Sequence, residues 1–314
     1  MTWPPSDHFN GKTFFNPGET DEGGLIDLIK WKATAKPVPW PEHIPVDRRP
    51  APPAPTGDGV TATWIGHATF LLRSAPCTVL TDPMFSDVAG PLSWLGARRA
   101  APPAMDIADV PRVDLILLSH DHYDHCDLPS LRRLAERDDP VVVAPLGHAK
   151  LLGAAGVRRT IELDWWAGCT PVPGAEVTLV PALHWCRRSP FATNVRLWGG
   201  FMLRTGGRLV YFAGDSGYRQ GLFPEIGRRL GAPDLSLIPI GAYEPRWFMK
   251  DAHMNPAEAV RVHREVGSRR SVAMHWGTFQ LTDEGRDDPV RDLKAACAPG
   301  DAFEAVELGD SVFI

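Results

Sequence analysis

From Val60 onward the chain breaks into short apolar runs separated by Gly, Pro and Asp. Runs of that kind bounded by turn formers read as strands. They predict strands over Val60–Leu72, Thr78–Thr81, Leu115–Leu118, Val141–Ala144, Val177–Leu183, Phe201–Arg204, Leu209–Ala213, Leu235–Ile240 and Val272–Met274. Thr205-Gly206-Gly207 supplies a hairpin turn between two of them. Leu128, Leu131 and Leu134 recur three apart behind Asp127, a candidate N-cap, and predict a helix. Asn255-Pro256-Ala257-Glu258 places Asn at an N-cap, Pro at N1 and Glu at N3, a capping box that starts a second helix. No repeat of 20–50 residues is visible. Some runs alternate and others are apolar throughout, so two sheets packed face to face with helices outside would bury them best. In such layers the strand ends share an edge where a site can assemble.

The first sixty residues follow another rule. Pro-rich stretches at 37–41 and 50–55 disfavour both helix interiors and sheet ladders. Trp3, Phe9, Phe14, Phe15, Trp31 and Trp40 would be wasted in a solvated tail. Residues 1–59 are therefore expected to be an extended arm packing on a domain at 60–314. The start, Met1-Thr2-Trp3-Pro4-Pro5, lacks the charged and apolar regions of a signal peptide. No run reaches the roughly 18 apolar residues of a membrane span. A soluble protein is expected, at most peripheral to a membrane.

Charge and cysteine usage narrow the class. The net charge is −5, from 38 acidic and 33 basic residues, without a long basic stripe, which argues against a nucleic-acid partner. Cys77, Cys126, Cys169, Cys186 and Cys297 include no C-x-x-C pair, so neither a disulfide framework nor a zinc knuckle is described. A reducing cytoplasm is expected.

The chemistry concentrates at His120-Asp121-His122-Tyr123-Asp124-His125, behind the apolar run ending at Leu118-Ser119. Side chains two apart point the same way along an extended chain, so His120 and His122 can meet one cation while Asp124 and His125 face a second. His184, Asp215 and His275 each follow an apolar strand in the same manner, with Gly214 giving the backbone room beside Asp215. Cys126 and Cys186 lie next to these residues, but the seven His and Asp side chains complete a site without thiolates.

The order His-x-His-x-Asp-His, then His, Asp and His resembles the metallo-β-lactamase superfamily over roughly Trp64–Gln280. That resemblance implies an α/β fold, an αββα sandwich of two mixed sheets. It also implies one metal on His120, His122 and His184, another on Asp124, His125 and His275, and Asp215 bridging them. Thr81-Asp82-Pro83 at an early strand end is also similar to the family. Longer strings are more specific: Trp64-Ile65-Gly66-His67-Ala68-Thr69, Phe212-Ala213-Gly214-Asp215-Ser216-Gly217-Tyr218, Pro239 to Lys250, His253 with Asn255 to Val260, and His275 to Phe279. These resemble the phospholipases D that hydrolyse N-acylphosphatidylethanolamine, although Ser216 stands where Thr is usual. The implied activity is a binuclear phosphodiesterase, with two Zn2+ (or Mn2+ or Fe2+) and a bridging hydroxide, releasing N-acylethanolamine and phosphatidic acid. A lactonase or other ester hydrolase on the same metals is the alternative. A phospholipid substrate and a homodimer are the implied partners.

In this reading Asp124 orients the hydroxide, and His253 protonates the leaving alkoxide or binds phosphate. His67 hydrogen-bonds a ligand or the metal-bound water, and His263 is solvated surface. The loop Pro91–Arg99 is a candidate contact with a bilayer interface. Trp165, Trp166, Trp185 and Trp198 are candidate walls of an acyl channel near His184.

Overall fold

The structure is a computed structural model that describes residues 3–18, 25–189 and 192–314. Met1 and Thr2, at which the reading of the leader begins, lie outside them. Numbered along the chain, one seven-stranded sheet runs in the order β16 (Ser311–Phe313), β1 (Thr61–Gly66), β2 (Thr69–Arg73), β3 (Thr78–Thr81), β6 (Leu115–Leu117), β7 (Val141–Pro145), β8 (Arg159–Leu163). The other runs β15 (Phe303–Glu304), β14 (Ser271–Met274), β13 (Leu235–Pro239), β12 (Arg208–Phe212), β11 (Gly200–Thr205), β10 (Ala175–Val180), β9 (Gly168–Val172). A separate hairpin pairs β4 (Val88–Leu92) with β5 (Leu95–Arg98). The helices are α1 (Leu25–Thr34), α2 (Leu128–Asp138), α3 (Ala149–Ala154), α4 (Leu222–Leu230), α5 (Arg246–Met249), α6 (Pro256–Glu265) and α7 (Asp288–Ala296). Among the described residues no helix is long and apolar enough to cross a membrane.

The two-sheet architecture is the one expected, and β7 shows why its apolar runs are continuous. Val141 and Val143 join the main core with Val177, Phe201, Val210 and Leu237 of the other sheet. Val142 and Ala144 point to the opposite face, against Leu131 and Leu134 of α2 and Leu152 of α3. A strand buried on both faces has no polar alternate. Strands β3, β6, β7 and β8 are parallel to one another, as are β12, β13, β14 and β15. Their C-terminal ends therefore gather the following loops on one rim.

Several expectations are corrected. The long run Val60–Leu72 is two antiparallel strands, β1 and β2, because the backbone turns at Gly66 (φ 149°) and His67 (φ 53°). The Pro91–Arg99 loop is mostly the β4–β5 hairpin, whose tip leaves Leu92, Trp94 and Leu95 exposed. His263 is buried on the inner face of α6, with Nδ1 2.7 Å from Ser271 Oγ. Asp127 does sit at the N-cap of α2, but its carboxylate accepts from Ser86 and Ser130 and makes no backbone cap. The Asn255 capping box forms as read, with both reciprocal bonds at 2.9 Å.

The N-terminal segment meets the rest of the chain at named points. Phe9 and Phe14 are buried in the main core cluster, and the Phe14 N–H donates to the Asn194 carbonyl. Between residues 36 and 59, backbone N–H groups of Val38, Ile44, Arg49 and Gly59 donate to carbonyls of Asp283, Ala100, Ala104 and Gly206. His8 is held between Asp164 (2.7 Å) and Asp7 (2.6 Å), its ring stacked on Trp165. Burial opposes the charged imidazole, but the two carboxylates outweigh it and raise the His8 pKa. A raised pKa stabilises the docked segment fully below the unfolded value of about 6.5 and ceases to do so as pH rises through the folded value. Amide exchange of residues 3–18, corrected for intrinsic rates, is expected to be faster at pH 9 than at pH 6, and His8→Asn to remove the difference.

Candidate metal centre

Each side chain of the candidate centre is delivered by a loop that leaves a strand at this rim. The β6–α2 connection carries His120, His122, Asp124 and His125; His184 follows β10, Asp215 follows β12 and His275 follows β14. The loops pass close together. A Cβ at Gly214 (φ +60°) would lie 2.7 Å from Ser119 Cβ, so only glycine lets the Asp215 loop approach the His120 loop this closely.

All seven predicted side chains converge, in two knots. In the first, His122 Nδ1 is 2.9 Å from His120 Nε2 and 3.2 Å from His184 Nε2. In the second, His275 Nε2 is 3.2 Å from His125 Nε2, and Asp124 Oδ2 is 3.4 and 3.5 Å from those two atoms. Asp215 Oδ2 stands between the knots, 3.1 Å from both His125 and His275 and 3.9–4.0 Å from His184 and His120. Tetrahedral metal–nitrogen bonds of about 2.0–2.1 Å put neighbouring ligand atoms about 3.3 Å apart, and both knots have that spacing.

The electrostatics agree with that fit. Burial and the adjoining rings push His120 well below its ordinary range, and burial does the same to His184 against the pull of Asp215. Both therefore present neutral lone pairs. Burial would raise Asp124 and Asp215, but facing His125 and His275 hold both carboxyls well below the usual range. Among the described residues, Asp215 Oδ1 and His253 Nδ1 are buried without a hydrogen-bond partner, and so are the ring nitrogens of His122 (Nε2) and His275 (Nδ1) that point away from the knots; the atoms crowded together are the knot-facing His122 Nδ1 and His275 Nε2. Lone pairs packed this tightly in a dry site are costly unless a cation draws them together.

A second layer of hydrogen bonds aims the rings. Asp82 Oδ2 accepts from His125 Nδ1 at 2.7 Å and from Ser119 Oγ at 2.5 Å, while Oδ1 accepts from the Ser119 N–H. Ser119 Oγ also meets His120 Nδ1 at 2.9 Å, and His184 Nδ1 donates to the Ala252 carbonyl at 3.0 Å. Each bond engages the ring nitrogen opposite the one facing the knot, as metal-ligating histidines require. In the sequence Asp82 is marked by its strand end and by the family-like Thr81-Asp82-Pro83, neither of which assigns it a role. It holds both knots.

The other expectations divide. His67 Nε2 lies 2.8 Å from Asp124 Oδ2. His253 Nδ1 is 3.9 Å from Asp215 Oδ2, and its ring centroid is 5.2 Å from that of His184. Cys126 and Cys186 are buried, with burial pushing the Cys126 thiol up to about 12, and neither joins a ligand cluster among the described residues. Trp185 packs edge-on against His122, whereas Trp198 is core and binds the Ala182 carbonyl. Trp165 donates to Trp198, and Trp166 lies under Arg229.

Comparison with known proteins agrees with this architecture. Residues 78–276 match the Beta-lactamase superfamily domain, and the chain belongs to that superfamily as a metal-dependent hydrolase. It is 37% identical to N-acyl-phosphatidylethanolamine-hydrolyzing phospholipase D 1 of Caenorhabditis elegans, over 97% of this chain and 90% of that one. An uncharacterized protein of Mycobacterium tuberculosis is 39% identical over 90% of this chain and 76% of its own. Among solved structures, the metallo hydrolase Igni18 of Ignicoccus hospitalis superposes with a TM-score of 0.61 at 21% identity, covering 82% of this chain and 98% of its own.

Because Asp82 is fully buried and accepts three hydrogen bonds, its loss is expected to be felt throughout the rim. Asp82→Asn should lower unfolding stability by about 2–3 kcal/mol in urea titrations. A change below about 0.5 kcal/mol would remove Asp82 from its bracing role.

Proposed function

We propose that this chain is a binuclear phosphodiesterase that hydrolyses N-acylphosphatidylethanolamine to N-acylethanolamine and phosphatidic acid. The observation that carries the substrate class is the 37% identity, sustained over 97% of the chain, to the nematode enzyme named for that reaction. His120, His122 and His184 would hold one cation and Asp124, His125 and His275 the other, with Asp215 within reach of both. Imidazole and carboxylate donors suit Zn2+ best, and Mn2+ or Fe2+ accept the same set. Two such ions would neutralise the phosphoryl oxygens and make a water nucleophilic at neutral pH.

The chain's own groups do the rest. Asp124, anchored by His67, orients the attacking water for in-line approach to phosphorus. The water oxygen bonds to phosphorus as the bond to the ethanolamine oxygen breaks, and the proton goes to that leaving alkoxide. His253, beside Asp215 and without a partner at Nδ1, relays that proton: burial lowers its pKa to about 4, so the neutral ring takes up the proton the water loses and passes it to the alkoxide. The substrate reaches this rim from a lipid surface. The β4–β5 hairpin exposes Leu92, Trp94 (69%) and Leu95 at its tip, while its base joins the rim through the Arg99–Phe279 bridge and the Ala100–Thr278 hydrogen bond. No acidic residue lies between Val88 and Ala100, and Arg98 is at hand for headgroups.

Metal-quantified protein is expected to release N-acylethanolamine from a defined N-acylphosphatidylethanolamine in mixed micelles, as read by mass spectrometry, and His120→Ala to release none. His253→Ala should lose about 10²–10⁴ in kcat with its metal content intact. Fully metallated protein that releases nothing would turn the substrate search to lactones and other carbonyl esters. Co-sedimentation with phosphatidylcholine vesicles containing anionic phospholipid is expected to fall at least fivefold in Trp94→Ala/Leu95→Ala, and unchanged binding would discard the hairpin contact.

A further inference from the structure

His67 combines three properties that an ordinary strand-end histidine lacks. It is 1% exposed, it carries a positive φ of 53° without being glycine, and each of its polar groups except Nδ1 is engaged by a different part of the rim. Its N–H donates to Thr278 Oγ1 at 3.0 Å. Its carbonyl accepts from the His275 N–H at 3.0 Å and from Trp64 Nε1 at 2.9 Å. Its ring Nε2 meets Asp124 Oδ2 at 2.8 Å, and since a carboxylate only accepts, Nε2 carries the proton. The ring also packs on His275, centroids 4.0 Å apart, with Phe279 edge-on at 5.2 Å.

A non-glycine residue in the left-handed region costs of the order of 1 kcal/mol and persists only where its surroundings over-determine it. Here the surroundings are two members of one knot. Asp124 arrives from the sheet of β1 and β6, and His275 from the sheet of β14. His67 hydrogen-bonds both, Asp124 through its ring Nε2 and His275 through its carbonyl. It hydrogen-bonds none of His120, His122 and His184. Two of those, His120 and His184, have their own braces in Ser119 and the Ala252 carbonyl.

We propose that His67 is a positioning residue that presets the Asp124–His275 half of the centre, so that the second cation is bound tightly only when His67 holds both ligands in place. This rests on the reading of the two knots as cation sites. The bond to Asp124 consumes the Nε2 hydrogen, which gives His67 the role of a donor to a ligand rather than that of a ligand.

Metal-free full-length protein titrated with Co2+ against a chromophoric chelator resolves the first and second equivalents without any substrate. Wild type is expected to take two. His67→Ala should weaken the second equivalent 10–100-fold and leave the first within about threefold, with a metal-free melting temperature close to wild type. His67→Gln, which keeps an N–H at similar reach, should recover at least half of the loss on a logarithmic scale. Thr278→Ala, which frees the His67 N–H without touching the ring, should weaken the second equivalent by a smaller factor.

Equal weakening of both equivalents in every variant, or of neither, would overturn the proposal. So would loss of the second equivalent in His67→Ala with no recovery in His67→Gln, which would make His67 a ligand. Wild type that binds no Co2+ would overturn the cation sites themselves. Failure to hydrolyse N-acylphosphatidylethanolamine would leave this measurement untouched.

Discussion

The Oδ2 atom of Asp215 is the point on which the rest of the molecule is organised. It lies 3.1 Å from His125 and His275 and within 4.0 Å of His120 and His184, in a site almost without solvent. A single buried carboxylate oxygen cannot compensate five imidazoles and a second carboxylate at such spacing. Two cations can. The loops around the site are shaped to hold this arrangement, from the glycine at 214 that admits the Asp215 loop to the left-handed backbone at His67 and His275.

The sandwich makes that concentration affordable to the fold. Each half contributes a run of parallel strands whose C-terminal ends face one rim, so residues distant in sequence meet without long loops. The inter-sheet core and the helix-covered outer faces fix the strands on both sides. The donors at their ends then inherit the rigidity of the sheets. Asp82 and His67 extend the same logic outward, each spending one side chain to fix groups on two different elements. Preorganisation of this kind is what a centre that activates water needs, since ligands that wander by an ångström lose both the cation and the aim of the nucleophile.

Much of this was legible in the residues. A His-x-His-x-Asp-His cluster behind one apolar strand, with a His, an Asp and a His behind three others, announces itself by that combination, and these seven side chains meet. The Asn255 capping box was equally plain, being a local contract between four residues. What escaped had weaker local signals. The Val60–Leu72 run carries no proline and only the single Gly66-His67 step as a break, too short to mark a turn by itself, so the turn shows through the backbone angles. The β4–β5 hairpin and the edge strands β8, β9, β15 and β16 are half-exposed or short, and their pairing is set by the sheet they join. His263 read as surface because one histidine on an amphipathic helix carries no directional information, and Ser271 on a neighbouring strand decides its place. Asp82 stood out only as part of a family-like strand end, without a role, because its three hydrogen bonds come from residues 37–43 positions away.

Anomalous diffraction from crystals grown with Zn2+, collected on both sides of the zinc edge, tests the central claim most directly. Two peaks are expected, one bounded by His120, His122 and His184 and the other by Asp124, His125 and His275, with Asp215 touching both. A single peak in the cleft, or none with the seven side chains ordered as described, would contradict a binuclear centre.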